Sequence, residues 1–244
     1  MIKHINNVDI NYVDYGEGKN TIVLLHGWGQ NIEMMKPIGD KLQKQNRIII
    51  VDLPGFGGSN EPDTIWTMYD YTECIHELLK SLKVSNPIMI GHSFGGKISL
   101  IYASKYKVQK LVLFGSPFKQ EIKKLSTKTK ILKSLKKVPL LNKLEGFAKK
   151  HIGSRDYREA SEFMRKILVE HVNLDITDEV KKIKCPTLIV WGTMDQEVPI
   201  ERAYELEKLI SDAAVIPYEG CSHYAYLERL GQTVNILKNF IGGE

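Results

Sequence analysis

The spacing of apolar and polar positions changes character along this chain. Near the start, Ile2 to Ile5 and Val8 to Tyr15 are extended runs separated by the turn pair Asn6-Asn7 and closed by Gly16-Glu17-Gly18, the pattern of strand, turn, strand. Short runs that are apolar on both faces follow: Thr21 to Leu25, Ile48 to Val51, Ile88 to Ile90, Leu111 to Phe114 and Thr187 to Val190. Such runs suit a parallel sheet covered by helices on both sides. A further short strand is expected over Ala214 to Pro217, before a final helix. Helical spacing over Tyr69 to Leu82 and Phe94 to Lys105 fills intervals between strands, which predicts an α/β sheet built from right-handed crossovers.

One interval has only helical spacing. From Phe118 to about Lys184, the stripes Ile131/Leu135/Val138, Leu141/Leu144/Ala148/Ile152 and Phe163/Ile167/His171 recur every three to four residues. The expected organisation is a core of residues 1–117 and 185–244, interrupted by a helical insertion at 118–184 that packs on the core and does not fold independently.

Composition changes this picture little. The chain has 244 residues, 43% hydrophobic and 26% charged, as in ordinary soluble domains. Its apolar runs, such as Ile22 to Leu25, are too short to span a bilayer, so no membrane insertion is expected. Met1 to Ile10 lacks a signal-peptide core, making the cytoplasm the expected compartment. Cys74, Cys185 and Cys221 are widely spaced and odd in number, which reads as three free thiols. Charge changes it more. The net charge is +5, and residues 119–150 hold eleven Lys against Glu121 and Glu145. A lysine run of this kind is most often the solvated face of amphipathic helices, and it can also attract nucleic acid, an anionic membrane or an acidic protein.

The chemistry is concentrated at strand ends. Met89-Ile90-Gly91-His92-Ser93-Phe94-Gly95-Gly96 runs from an apolar strand through Gly-x-Ser-x-Gly into a helix-forming segment, the context of a nucleophile elbow. Ser93 is the expected nucleophile. A serine hydroxyl needs a base, and the base needs an orienting acid. Downstream of Ser93 the histidines are His151, His171 and His223. The first two lie in the insertion, where packing or surface roles fit. His223 lies in the loop Glu219-Gly220-Cys221-Ser222-His223, where a catalytic base is expected at a strand end. Asp195, in Trp191-Gly192-Thr193-Met194-Asp195, is the expected acid, with Glu197 the nearest rival; Phe114-Gly115-Ser116-Pro117, one strand earlier, has no carboxylate. The backbone N–H groups of Trp28, in His26-Gly27-Trp28-Gly29, and of Phe94 are the expected oxyanion donors. His26 is expected to brace that loop. Trp28, Phe94 and Phe118 are candidate walls of a partly apolar substrate pocket, with core packing as the alternative role for each.

Five blocks together resemble the α/β-hydrolase superfamily over essentially the whole chain: His26-Gly27-Trp28-Gly29, Asp52-Leu53-Pro54-Gly55-Phe56-Gly57-Gly58-Ser59, Gly91 to Gly96, Trp191 to Asp195 and Cys221-Ser222-His223. The resemblance implies an eight-stranded, mostly parallel sheet with a helical cap after the sixth strand. It also implies a serine hydrolase acting on a carboxylic ester of small or medium acyl size through an acyl-enzyme, without cofactor or metal. A menaquinone-pathway-type lyase, a C–C bond hydrolase and a ligand sensor of the same fold remain alternatives. The blocks starting at His26 and Asp52 are similar to esterases that act on pimeloyl-carrier-protein methyl ester. That similarity implies an acidic acyl carrier protein as partner for the basic cap; no nucleic-acid partner is expected.

Two other patterns fail. Gly55-Phe56-Gly57-Gly58-Ser59-Asn60 has Asn where a dinucleotide fingerprint needs its last Gly, and His76-Glu77 lacks a second His one turn on. Ser93 stands where a dehalogenase of this fold would need Asp.

Overall fold

A computed structural model of the protein describes residues 1–120 and 160–242. The stripes expected over 131–152, His151 and nearly all of the lysine-rich stretch lie outside the described residues.

Eight strands form one sheet: β1 (Ile2–Ile5), β2 (Val8–Tyr15), β3 (Asn20–Leu25), β4 (Asn46–Val51), β5 (Ile88–His92), β6 (Lys110–Phe114), β7 (Thr187–Gly192) and β8 (Ala213–Tyr218). Their order is β1-β2-β4-β3-β5-β6-β7-β8. β2 runs antiparallel to both neighbours, and every other pairing is parallel. The sequence expectation of an eight-stranded, mostly parallel sheet holds.

The described helices are α1 (Ile32–Leu42), α2 (Met68–Ser81), α3 (Ser93–Lys105), α4 (Glu162–Asn173), α5 (Thr177–Val180), α6 (Glu201–Leu209), α7 (Ala225–Glu228) and α8 (Leu230–Gly242). None of these is long and apolar enough to cross a membrane.

Two apolar clusters explain why the central strands are apolar at every position. Side chains alternate across a strand. Val23, Leu25, Ile49, Val51, Met89 and Leu111 therefore face one cluster, under α2, α3 and α6. Ile22, Leu24, Ile48, Ile50, Ile88 and Val112 face the other, under α1 and α8. The central helix α3 is buried continuously from Phe94 to Tyr102, so this stretch presents no face to solvent. α2 begins with a capping box in which Thr67 and Asp70 exchange hydrogen bonds between side chain and backbone.

The link between β6 and β7 carries the insertion. Its described end packs on the body of the protein, with Ile167, Ile176 and Val180 buried in the apolar cluster under α2 and α3, and Ile176 N–H donates to Phe118 O at 2.8 Å. One expected stripe needs correcting. On α4 the buried residues are Met164, Ile167 and His171, while Phe163 is 44% exposed. Consecutive residues lie about 100° apart around a helix, so burying Met164 turns Phe163 away from the core.

Candidate active site

β5 ends at His92, and the next residue, Ser93, both starts α3 and takes a positive φ of 49°. A non-glycine residue in the left-handed region costs energy and persists only where its surroundings demand it. Here the demand is a reversal from strand into helix with almost no connecting chain. Gly95 makes the reversal possible: a Cβ there would lie 2.5 Å from the carbonyl oxygens of Leu25 and His26. With only hydrogen in that space, Gly95 N–H donates to His26 O at 3.0 Å and joins the start of α3 to the end of β3.

β7 and β8 bring the other two candidates together. Their parallel pairing runs to Gly192 opposite Tyr218, so the loops that follow leave the same sheet edge side by side. His223 Nδ1 donates to Asp195 Oδ2 at 2.7 Å, with the Asp195 side chain fully buried and the His223 side chain 10% exposed. The second Asp195 oxygen accepts from Glu197 N–H and Val198 N–H, both at 2.9 Å. Glu197, the rival acid, thus meets Asp195 through its backbone. The loops are also bound directly, through Met194 N–H to Cys221 O at 2.9 Å.

Gly115, just past β6, completes this corner. Its φ is +50°, and a Cβ on it would stand 2.9 Å from both Cε1 and Nδ1 of His223 and 3.3 Å from Asp195 Oδ2. The segment Phe114 to Pro117 therefore contributes space to the site and no carboxylate.

The loop after β3 is held by His26 and Asp52. His26 is almost fully buried; its Nδ1 donates to Gly27 O at 2.7 Å and its Nε2 accepts from Leu53 N–H at 2.9 Å. Burial pushes its pKa down to about 4, so the ring is neutral. Asp52 Oδ1 accepts from Ile32 N–H, the first amide of α1, at 2.7 Å, and its Oδ2 accepts from Gly58 N–H at 2.7 Å and Asn11 Nδ2 at 2.8 Å. That carboxylate explains why Asp52 opens the Pro54 to Ser59 loop.

Trp28, Phe56 and Phe94 pack edge to face, with Trp28–Phe94 centroids 5.2 Å apart. Phe94 is fully buried, and its backbone lies in the first turn of α3, where amides have no acceptor within the helix. Phe118 is fully buried in the same apolar cluster. Tyr71 and His171 also stand edge-on to Phe94, at 5.1 and 4.8 Å.

One turn along α3 from Ser93, Lys97 is fully buried, and its Nζ donates to His171 O at 2.7 Å and Leu174 O at 3.0 Å. It binds carbonyls at the C-terminal end of α4, where a helix favours a cation. Burial lowers the Lys97 pKa to about 8, against the opposing pull of Glu170 and Asp175. Burial, aided by Lys97, pushes the His171 pKa well below its usual value, so that ring is neutral packing. Among the described residues, no group of three or more His, Cys, Asp or Glu is arranged to hold a metal ion.

Comparison with known proteins gives this geometry a family. The model of the alpha/beta hydrolase fold family matches residues 20–132. Lipase 1 of Psychrobacter immobilis is 30% identical over 260 residues, covering 93% of this chain and 79% of the lipase. The chain belongs to the α/β-hydrolase family. The AB hydrolase superfamily protein YisY of Bacillus subtilis (strain 168) is 26% identical over 269 residues, covering 98% of this chain and 97% of that protein. The solved structure of the esterase EaEST from Exiguobacterium antarcticum shares the fold with a TM-score of 0.79 at 24% identity, covering 99% of each chain.

Sequence reasoning about this α/β hydrolase missed three residues at the site: Gly115, His92 and Lys97. Gly115 carried a signal, a glycine directly after an apolar strand. His92 and Lys97 lay within the nucleophile motif and the following helix, but their partners are 131 and 74 residues away, so no local pattern marked them.

Proposed function

We propose that this α/β hydrolase is a serine esterase in which Ser93 is the nucleophile, His223 the base and Asp195 the acid that orients it. The observation that carries the reading is the 2.7 Å bond from His223 Nδ1 to Asp195 Oδ2. It leaves Nε2 of a neutral His223 with a free lone pair to accept a proton. The positive φ of Ser93 and the burial of Asp195 support the same roles. The relatives named as a lipase and an esterase favour ester chemistry.

The reaction proceeds in two halves. His223 Nε2 takes the Ser93 hydroxyl proton as Oγ attacks the ester carbonyl, and backbone N–H groups of Trp28 and Phe94 stabilise the oxyanion. The imidazolium returns the proton to the departing alcohol, leaving an acyl group on Ser93. Water then attacks, giving a proton to His223, and the carboxylic acid is released as Ser93 recovers its hydrogen. The expected substrate is an ester of an apolar acyl chain of small or medium length, with Trp28, Phe94 and Phe118 as candidate pocket walls. A cap role for the insertion is supported by its described end, which Lys97 Nζ ties to the core through His171 O and Leu174 O and Tyr69 Oη through Glu179 Oε1.

Short-chain p-nitrophenyl esters and a fluorophosphonate probe test the reading. Wild-type protein should turn over the ester and take up the phosphonate on Ser93, Ser93→Ala should do neither, and Asp195→Asn should lower kcat by about 10⁴-fold. Wild-type protein that neither turns over ester nor is labelled overturns it. The narrower reading, a methyl ester presented by an acidic carrier protein, rests on the lysine-rich interval 119–150. It requires a KM that rises steeply with salt, and a salt-insensitive KM removes it.

A further inference from the structure

His92 is fully buried between the two halves of the site. Its ring packs on those of His223, Tyr226 and Tyr224, with centroids at 4.7, 4.9 and 5.4 Å. Nε2 lies 3.2 Å from the backbone carbonyl oxygen of His223, and Nδ1 lies 3.2 Å from Gln30 Oε1. Both facing atoms are acceptors. Burial and the neighbouring His223 push the His92 pKa well below its usual value, so the ring is neutral and has one N–H to give.

The two acceptors are not equally needy. Gln30 Oε1 already accepts from Gly27 N–H at 3.0 Å. The hydrogen bond to the His223 carbonyl oxygen comes from His92, whereas Gln30 Oε1 keeps its donor whichever His92 nitrogen carries the proton. The proton therefore belongs on Nε2.

This bond has a particular place in the architecture. The other anchors of the 219–223 loop tie it to β8, to the loop after β7 or to the final helices: Cys221 N–H to Tyr218 O, Met194 N–H to Cys221 O, His223 Nδ1 to Asp195 Oδ2, Arg229 Nη2 to Glu219 O, and Ser222 to Glu228. The His92 bond ties residue 223 itself to the end of β5, one residue from Ser93. We propose that His92 is a positioning residue for His223, which fixes the base relative to the nucleophile by donating Nε2–H to the His223 carbonyl oxygen. The opposite edge of the ring, where Nδ1 has no proton to give, packs against Gly27 and Gln30 of the loop that carries Trp28, so one side chain touches the three segments of the site. This role rests on the serine-esterase reading, while the tautomer that enables it does not.

The test has two arms. In ¹⁵N imidazole spectra of the wild-type protein, His92 should remain neutral with Nε2 protonated from pH 7 to pH 5; an Nδ1-protonated ring, or one that titrates near the usual histidine value, overturns the proposal. In kinetics, His92→Phe keeps the ring and loses the donor, so kcat should fall about tenfold or more with KM nearly unchanged, since a displacement approaching 1 Å costs about 100-fold. His92→Gln, which restores an N–H donor, should recover part of the loss. An unchanged kcat in His92→Phe, or a loss confined to KM, overturns the proposal. If His92→Phe does not fold, the spectra of the wild-type protein decide. Wild-type protein without esterase activity or Ser93 labelling would defeat the esterase reading, whereas a His92 proton found on Nδ1 would defeat this proposal alone.

Discussion

Replacing Gly115 with alanine tests how tightly the corner beneath His223 is built. Two costs add. The first is conformational: φ at this position is +50°, and a Cβ in the left-handed region costs about 1–2 kcal/mol. The second is steric, because the new methyl would stand 2.9 Å from Cε1 and Nδ1 of the His223 ring and 3.3 Å from Asp195 Oδ2. Non-bonded carbons are most favourable at about 3.5–4.0 Å, so the ring must retreat by roughly 0.6 Å or more. The bond from His223 to Asp195 tilts or lengthens as the ring moves. Since a 1 Å displacement at a reacting centre costs about 100-fold, a retreat of this size should lower kcat by about tenfold or slightly more. The assay pairs kcat and KM on a short-chain p-nitrophenyl ester with urea unfolding. Gly220→Ala is the comparison, because Gly220 has a φ of +75° and open space where its Cβ would go. Gly220→Ala should lose about 1–2 kcal/mol of stability and Gly115→Ala at least as much, since the clash adds to it, and only Gly115→Ala should lose the large share of kcat. A Gly115→Ala enzyme with wild-type kcat would refute the steric reasoning, and one with wild-type stability would refute the conformational part.

Two further outcomes follow from buried bases. The folded state holds His26 near pKa 4 while the unfolded chain protonates near 6.5, so stability should fall as the pH drops below 6.5 and level off below about 4. The full loss from His26 is about 3 kcal/mol, and His92 and His171 act in the same direction; a flat urea-unfolding free energy between pH 6.5 and 5 would contradict this. For Lys97 the fold disfavours the charged form, so between about pH 8 and the usual value of 10.5 the unfolded chain keeps a proton that the fold has lost, and stability should rise with pH. Comparing wild type with Lys97→Met over pH 8–9.5, below the range where tyrosines ionise, should isolate this rise; equal slopes would reject it.

The sequence was most legible where physics acts locally. Strands apolar on both faces can be stable only in a covered sheet, so Ile22 to Leu25 and Ile48 to Val51 announced the α/β class without a structure. Gly91 to Gly96 carried its own context, a strand on one side and a helix on the other, because the elbow needs its small residues within five positions. Helix faces were less legible: Phe163 and Met164 are both apolar, and only packing against the core decided which was buried.

What only the tertiary structure decided is contact between distant segments. Asp195 and His223 were each readable as polar residues at strand ends, but their bond exists because β7 and β8 pair in a register that brings both loops out together. Gly115 took on meaning when the His223 ring was found where its side chain would be. His92 and Lys97 gained theirs from a carbonyl of residue 223 and from carbonyls at the end of α4. Backbone carbonyls are present at every residue, so no residue type marks which one a buried donor will meet. Residue types and their spacing determined the class of fold and the candidate chemistry; the packing of loops that are far apart in the chain decided how those candidates are held.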